Sequence, residues 1–298
     1  MPSDVRSLLR LTPAFKRVGV AGVGLVGGSV ALAVHAANAT VTAFETDAAA
    51  LAYVLEKRMV DTAVADLATL ARVVDVLVLA APLPATLAAL AELRALDASG
   101  PWPELILDVA STKRAVAQAG ATVRNFVPSH PIAGAERRGP RAARADLFTG
   151  RTWAFVPTDP TRDRLAREFI TTLGAEPLPI GAQRHDDVLA LTSHLPQLVS
   201  TLLAATLAGH TAEPDVSTLC GPGMSSMLRL AHAEFALWEP IFSENRVAVA
   251  ALLGELTSRL EAVRLALERR EVPKLASYFA DAHRAVRELE ERSSKPPR

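Results

Sequence analysis

From Lys16 onward, short apolar runs rich in β-formers alternate with Ala- and Leu-rich stretches of helical period. Arg17–Ala21, Thr40–Glu45, Asp75–Ala80, Leu105–Val109 and Asn125–Val127 read as strands, with helices expected from Val26 and from Ala48. That alternation predicts βαβ units on a parallel sheet covered on both faces. A strand at Trp153–Pro157, a helix over Arg162–Leu173 and a strand near Glu176–Ile180 extend the series. From about Ala182 the strand signals stop and helical patterns run to Arg292, including a long amphipathic one near Pro240–Arg270 that Gly254 interrupts at modest cost. So much apolar helix surface needs cover, and we expect both the first domain and a second copy of the chain to supply it. The expected organisation is a doubly wound α/β domain over residues 16–181, then an all-helical substrate and dimerisation domain over 182–292. Residues 1 to 15 read as a ragged arm, and the tail from Ser293 to Arg298 reads as disordered.

Composition narrows the function classes. A chain of 298 residues suits two domains, and Lys+Arg and Asp+Glu cancel at 32 each. No net field draws in a nucleic-acid backbone or an anionic membrane, so a small-molecule partner is expected. The one cysteine, Cys220, cannot form an internal disulfide and reads as a small buried hydrophobe. No CxxC pair or HExxH helix offers a metal site. The start lacks the order of a signal peptide, and no apolar run reaches the roughly 18 residues needed to span a bilayer. A cytoplasmic protein is expected.

The strand Val18-Gly19-Val20-Ala21 leads straight into Gly22-Val23-Gly24-Leu25-Val26-Gly27-Gly28-Ser29 and then a helical run. In that order Gly22 permits a tight turn, Gly24 lets the backbone approach a pyrophosphate, and Gly27 or Gly28 lets the helix pack close to the strand. The helix start supplies free N–H donors to the phosphates. Glu45, closing the next strand, bonds ribose hydroxyls and repels a 2′-phosphate, which favours NAD over NADP. Asp47 reads as the cap of the helix from Ala48. The expected cofactor contacts are Gly22, Gly24, Leu25, Val26, Gly27 and Glu45, with Ala81 and Pro82 after the Asp75–Ala80 strand.

Three segments are candidates for the substrate face. Asp108-Val-Ala-Ser-Thr-Lys113 lies where a strand ends; Ser111 there either donates to a substrate hydroxyl or the nicotinamide amide, or caps a helix. Ser129-His-Pro-Ile-Ala-Gly-Ala-Glu136 puts His130 at a strand end as a candidate base beside a carbinol oxygen. Glu136 either orients or gates that site, or is a solvated carboxylate beside Arg137 and Arg138. In the third segment His185-Asp186 reads as a local pair at a helix start, while His194 and Gln197 share a face that a ligand or partner should satisfy. Arg229, among apolar neighbours, reads as partly buried, either holding a substrate carboxylate or forming an ion pair with Glu234 or another acid.

Taken in order, Gly22-Val-Gly-Leu-Val-Gly-Gly-Ser29, Asp108-Val-Ala-Ser-Thr-Lys113, Ser129-His-Pro-Ile-Ala-Gly-Ala-Glu136, Asp146-Leu-Phe148, His185-Asp186 and Ser193-His-Leu-Pro196 resemble the prephenate/arogenate dehydrogenase family of tyrosine biosynthesis. The resemblance implies a Rossmann-like domain followed by a helical domain that forms a homodimer, with NAD as cofactor. It implies His130 as base, Ser111 as hydroxyl-binding serine, Glu136 as gating acid and Arg229 as carboxylate-binding arginine. The implied reaction is oxidative decarboxylation of prephenate, with arogenate or 4-amino-4-deoxyprephenate as alternatives. Two positions depart from the family pattern: Gln197 replaces a second histidine that many members carry, and Ser225 replaces an arginine. No chorismate mutase segment or separate regulatory domain is expected. A β-hydroxyacid dehydrogenase would need a lysine in the helical half, where only Lys274 and Lys295 stand, both late.

Overall fold

A computed structural model describes residues 15–96, 99–134 and 138–293. Strand β1 (Arg17–Ala21) leads into helix α1 (Leu25–Ala36), β2 (Thr40–Phe44) into α2 (Ala48–Glu56), and β3 (Thr62–Ala63) into α3 (Leu67–Val73). β4 (Val76–Leu79) leads into α4 (Leu83–Ala95), β5 (Leu105–Asp108) into α5 (Arg114–Gly120), and β6 (Phe126–Val127) closes the series. All six strands are parallel, in the order β3-β2-β1-β4-β5-β6. The order reverses between β1 and β4, which opens a crevice at the carboxyl ends of the strands.

Period-two alternation fills both faces. Val18, Val20, Val76, Val78, Leu105 and Leu107 enter one core, while Ala21, Leu77, Leu79 and Ile106 enter the other. Asp47 caps α2 by accepting from the N–H groups of Ala49 (2.9 Å) and Ala50 (3.2 Å), as its position predicted. Phe15 belongs to the core instead of a ragged arm: it is buried and meets Phe169 edge-on, with ring centroids 5.8 Å apart.

The later strands do not prolong the main sheet, contrary to the sequence reading. β7 (Ser129–Pro131), β8 (Thr152–Phe155) and β9 (Glu176–Pro179) form a separate three-stranded sheet, β7 antiparallel and β9 parallel to β8, with helix α6 (Pro160–Thr172) between β8 and β9. Pro128, which has no N–H for a ladder, ends β6, and its carbonyl instead accepts from Val156 N–H at 2.8 Å.

The remaining elements are helical: α7 (Ala182–Leu189), a π-helical turn (Ala190–His194), α8 (Leu195–Ala208), α9 (Pro214–Thr218), α10 (Pro222–Leu228), α11 (Phe235–Glu268) and α12 (Ala276–Ser293). The discontinuity in α11 falls at Asn245 (φ −104°, ψ 19°), not at Gly254. The run Ala182–Ala208 is long and apolar enough by composition to cross a bilayer, which the sequence reading did not expect. Its buried His185, Asp186, His194, Gln197 and Ser200 bond to other protein groups, a supply of partners that hydrocarbon lacks. Cys220 is exposed between α9 and α10, where a buried hydrophobe was expected. The chain divides into two compact units, Met1–Arg246 and Val247–Arg298.

Candidate active site

The glycine loop after β1 lies against the end of β4. Gly22 has φ +96°, and a side chain on it would stand 2.7 Å from the Ala80 carbonyl oxygen and 3.0 Å from Ala81 N. A Cβ on Gly27 would overlap the Gly22 carbonyl oxygen, so this glycine is the one that brings α1 down onto the strand. The first i to i−4 bond of α1 runs from Gly28 N to Gly24 O (2.9 Å), leaving the N–H groups of Leu25, Val26 and Gly27 without helical partners. Nothing lies within 4 Å of where a Gly24 side chain would be, so the approach to those donors is open. Gly28 serves packing, against Ala143.

Glu45 closes this cradle. Its carboxylate accepts from the N–H groups of Val23 (2.8 Å), Thr46 (2.7 Å) and Asp47 (2.9 Å), which ties the end of β2 to the glycine loop. Ala81 is half-buried and Pro82 exposed at the start of α4, with the Ala81 carbonyl accepting from Thr86 Oγ1 at 2.9 Å. A pocket of free helical N–H donors with a carboxylate at the next strand end fits a dinucleotide with unsubstituted ribose.

His130 stands in β7, just beyond the carboxyl end of β6, and is half-buried. Its Nδ1 lies 3.0 Å from His185 Nε2, and His185 Nδ1 lies 2.8 Å from Asp186 Oδ1. Both His185 and Asp186 are 1% exposed. The Asp186 carboxylate also accepts from the backbone N–H of Lys113 (2.7 Å) and Arg114 (3.0 Å) and from Arg114 Nε (3.2 Å). Burial alone would raise its pKa, but the bonds from His185, Arg114 and Lys113 outweigh that and hold it below the usual carboxylate value.

Next to His130 lies a second buried pair. Lys113 Nζ donates to Asp108 Oδ2 and to the Ser129 carbonyl; Ser129 returns its N–H to Asp108 Oδ1 (2.8 Å) and its hydroxyl to the Asp108 carbonyl (2.6 Å). The residue before His130 is thus held at its N–H, carbonyl and side chain. Burial pushes the Lys113 pKa down, opposed by Asp108. Burial also holds His130 well below an ordinary histidine, reinforced by His185, Lys113 and His194, so it is neutral and able to accept a proton near pH 7.

His194 is buried between Trp238 and Phe242, and Asn245 Nδ2 lies 3.2 Å from its Nδ1. Burial brings its pKa down to about 4. Asn245 Nδ2 also donates to the Asp186 carbonyl (2.7 Å), and its Oδ1 accepts from Arg114 (2.9 Å). The break in α11 therefore comes where its side chain joins the histidine cluster.

The structure draws His130, His185, Asp186 and His194 together and treats other candidates differently. Ser111 is half-buried and does not cap α5; Lys113 holds the cap position, and Asp186 takes the first N–H groups. Gln197 directs its amide N–H groups into the protein, where Nε2 donates to the Leu230 carbonyl (2.8 Å) and to Thr201 Oγ1 (3.2 Å). Arg229 is exposed instead of partly buried, since it begins a 3-10 turn with no buried residue, and Glu234 pairs with Arg138. Glu136 lies outside the described residues. Lys113, Arg114 and Asn245 were not singled out from sequence; a buried lysine one residue before a helix gives no periodic signal.

The chain matches the family model for the prephenate dehydrogenase nucleotide-binding domain over residues 30–176 and that for the prephenate dehydrogenase dimerization domain over residues 181–281. It is 27% identical to a cyclohexadienyl dehydrogenase of Zymomonas mobilis, over 91% of this chain and 95% of that protein. It is 24% identical to a prephenate dehydrogenase of Lactococcus lactis, over 92% of this chain and 78% of that one. Among solved structures it is similar to prephenate dehydrogenase from A. aeolicus in complex with hydroxyphenyl propionate and NAD+, with TM-score 0.81 at 22% identity over 92% of this chain and 98% of that one. With a glycine cradle after β1, a buried histidine cluster just beyond β6, and both family models matched in order, this chain belongs to the prephenate dehydrogenase family.

Proposed function

We propose that the chain catalyses the NAD-dependent oxidative decarboxylation of prephenate to 4-hydroxyphenylpyruvate, as a homodimer, with residues 16–181 binding the cofactor and 182–292 contributing substrate and dimer contacts. The observation that carries this reading is the half-buried, neutral His130 at the carboxyl end of the sheet, in a chain that matches the family along most of its length. Gly22, Gly24, Leu25, Val26, Gly27 and Glu45 would hold the dinucleotide, beside Ala81 and Pro82. NAD+ supplies, when bound, the acceptor for a hydride.

His130 takes the proton of the ring 4-hydroxyl as the C4–H bond gives up its electron pair as hydride. The bond from the ring to its carboxylate then breaks, its electrons shift through the ring to the 4-oxygen, which takes a proton back, and carbon dioxide leaves. Aromatisation drives this step, so one base, an oriented substrate and a placed cofactor suffice. Ser111, at the end of β5, is assigned the substrate hydroxyl; Arg229, His194, Gln197 and Glu136 are assigned the substrate's remaining contacts.

Arogenate is the second reading: the neutral Gln197 brings no cation to the side-chain carboxylate that prephenate and arogenate share, and none to repel an alanyl ammonium. NADH formation with prephenate and with arogenate, each with NAD+ and NADP+, tests both. Turnover of prephenate with NAD+ supports the main reading, turnover of arogenate alone the second, and silence with both defeats them.

A further inference from the structure

The geometry points to His185 as a positioning residue that, backed by Asp186, fixes which nitrogen of His130 is free to act as the base. The inference rests on the reading of His130 as base. Asp186 is ionised and receives four hydrogen bonds, so it can only accept, and the 2.8 Å contact makes His185 Nδ1 the donor. With Nδ1 donating to Asp186, Nε2 is the His185 nitrogen left to accept. That nitrogen, 3.0 Å from His130 Nδ1, accepts, and His130 Nδ1 carries the hydrogen. The lone pair of His130 is left on Nε2, the edge not occupied by His185.

The chain of bonds is held firmly at its inner end, where His185 and Asp186 are buried. Asp186 is anchored by the first turn of α5 and by Arg114, whose guanidinium also donates to the Glu244 carbonyl (3.1 Å) and to Asn245. The rings of His130 and His185 meet at 66° with centroids 5.2 Å apart, and His185 is buried. When His130 gains a proton at Nε2, its Nδ1–H keeps donating to His185, and the new charge faces an uninterrupted path of donors ending on a carboxylate. The roles are those of an orienting residue behind a general base, with one more imidazole in the line.

Nitrogen-15 NMR of the histidine side chains in the full-length protein, with His130→Asn to identify the signal, reads the tautomer without turnover. Wild type should show His130 protonated at Nδ1 and bare at Nε2. His185→Leu should mix the tautomers and lower kcat by roughly a hundredfold, with the KM for prephenate and the affinity for NAD+ held within a few-fold. His185→Gln, which restores an acceptor near the Nε2 position, should recover part of the loss, and stands in if the leucine variant does not fold. A wild-type His130 protonated at Nε2, or a folded His185 variant with unchanged kcat, overturns the inference. A wild type with the expected tautomer but no turnover of prephenate or arogenate overturns the proposed function and leaves the relay standing.

Discussion

His130 is suited to proton abstraction because its surroundings disfavour the charged ring before any substrate arrives. Burial, His185, Lys113 and His194 all push its pKa down. A base must be unprotonated, so the acid limb of the kcat/KM profile should fall below the ordinary histidine value of about 6.5; a limb at or above it would contradict this environment. The buried Lys113–Asp108 pair makes a different prediction. Lys113→Met leaves a buried carboxylate without its counter-charge and should lower the unfolding free energy by about 3–5 kcal/mol, read by urea denaturation. At this scale the sequence singled out His130, Glu45 and the glycines, whose positions follow from local order along the chain. It could not expose the roles of Lys113, Arg114 and Asn245: Asp108 lies five residues from Lys113, but the other partners are 16 to 131 residues away. His185 and Asp186 were legible as a local pair, but the bond from His185 to His130 crosses 55 residues and exists only in the fold.

Elements position these residues through a few close approaches. The seating of α1 on β1 needs a hydrogen at Gly27, so Gly27→Ala should push the helix off the strand and weaken NAD+ binding more than tenfold by calorimetry, since overpacking of this kind costs typically 1–3 kcal/mol. Gly24→Ala, facing open space, should melt like wild type, and an equal loss of stability in both variants would contradict the assignment. The main sheet was legible because its strands are short, apolar and bounded by turns, and the start of α7 at Ala182 matches the point where strand signals stop. Two kinds of element escaped. β3 is two exposed residues with no core face, and β7 is a three-residue strand created by its antiparallel partner β8. The break in α11 escaped too, because Asn245 leaves helical geometry where its side chain makes tertiary bonds, whereas Gly254 stays within the helix.

For the whole molecule, buried neutral histidines set the response to acid. His194 has a pKa of about 4 in the folded chain and an ordinary value of 6.5 when unfolded. Below pH 6.5 the unfolded chain takes up a proton that the folded chain refuses until about pH 4, so stability should decline through that interval, by roughly 3 kcal/mol from this group. Urea unfolding at pH 7 and pH 4.5 reads the decline, and equal values would contradict it. The exposed apolar residues Phe235, Leu237 and Leu219 in the helical part accord with a second copy of the chain, and sedimentation should find a dimer at micromolar concentration. A monomer would contradict that assembly. The most direct test of the whole reading is absorbance at 340 nm with prephenate and NAD+, comparing wild type with His130→Asn. Wild type should form NADH while the variant binds NAD+ normally and turns over at least a hundredfold more slowly; a folded His130→Asn protein with wild-type turnover would show that the base lies elsewhere.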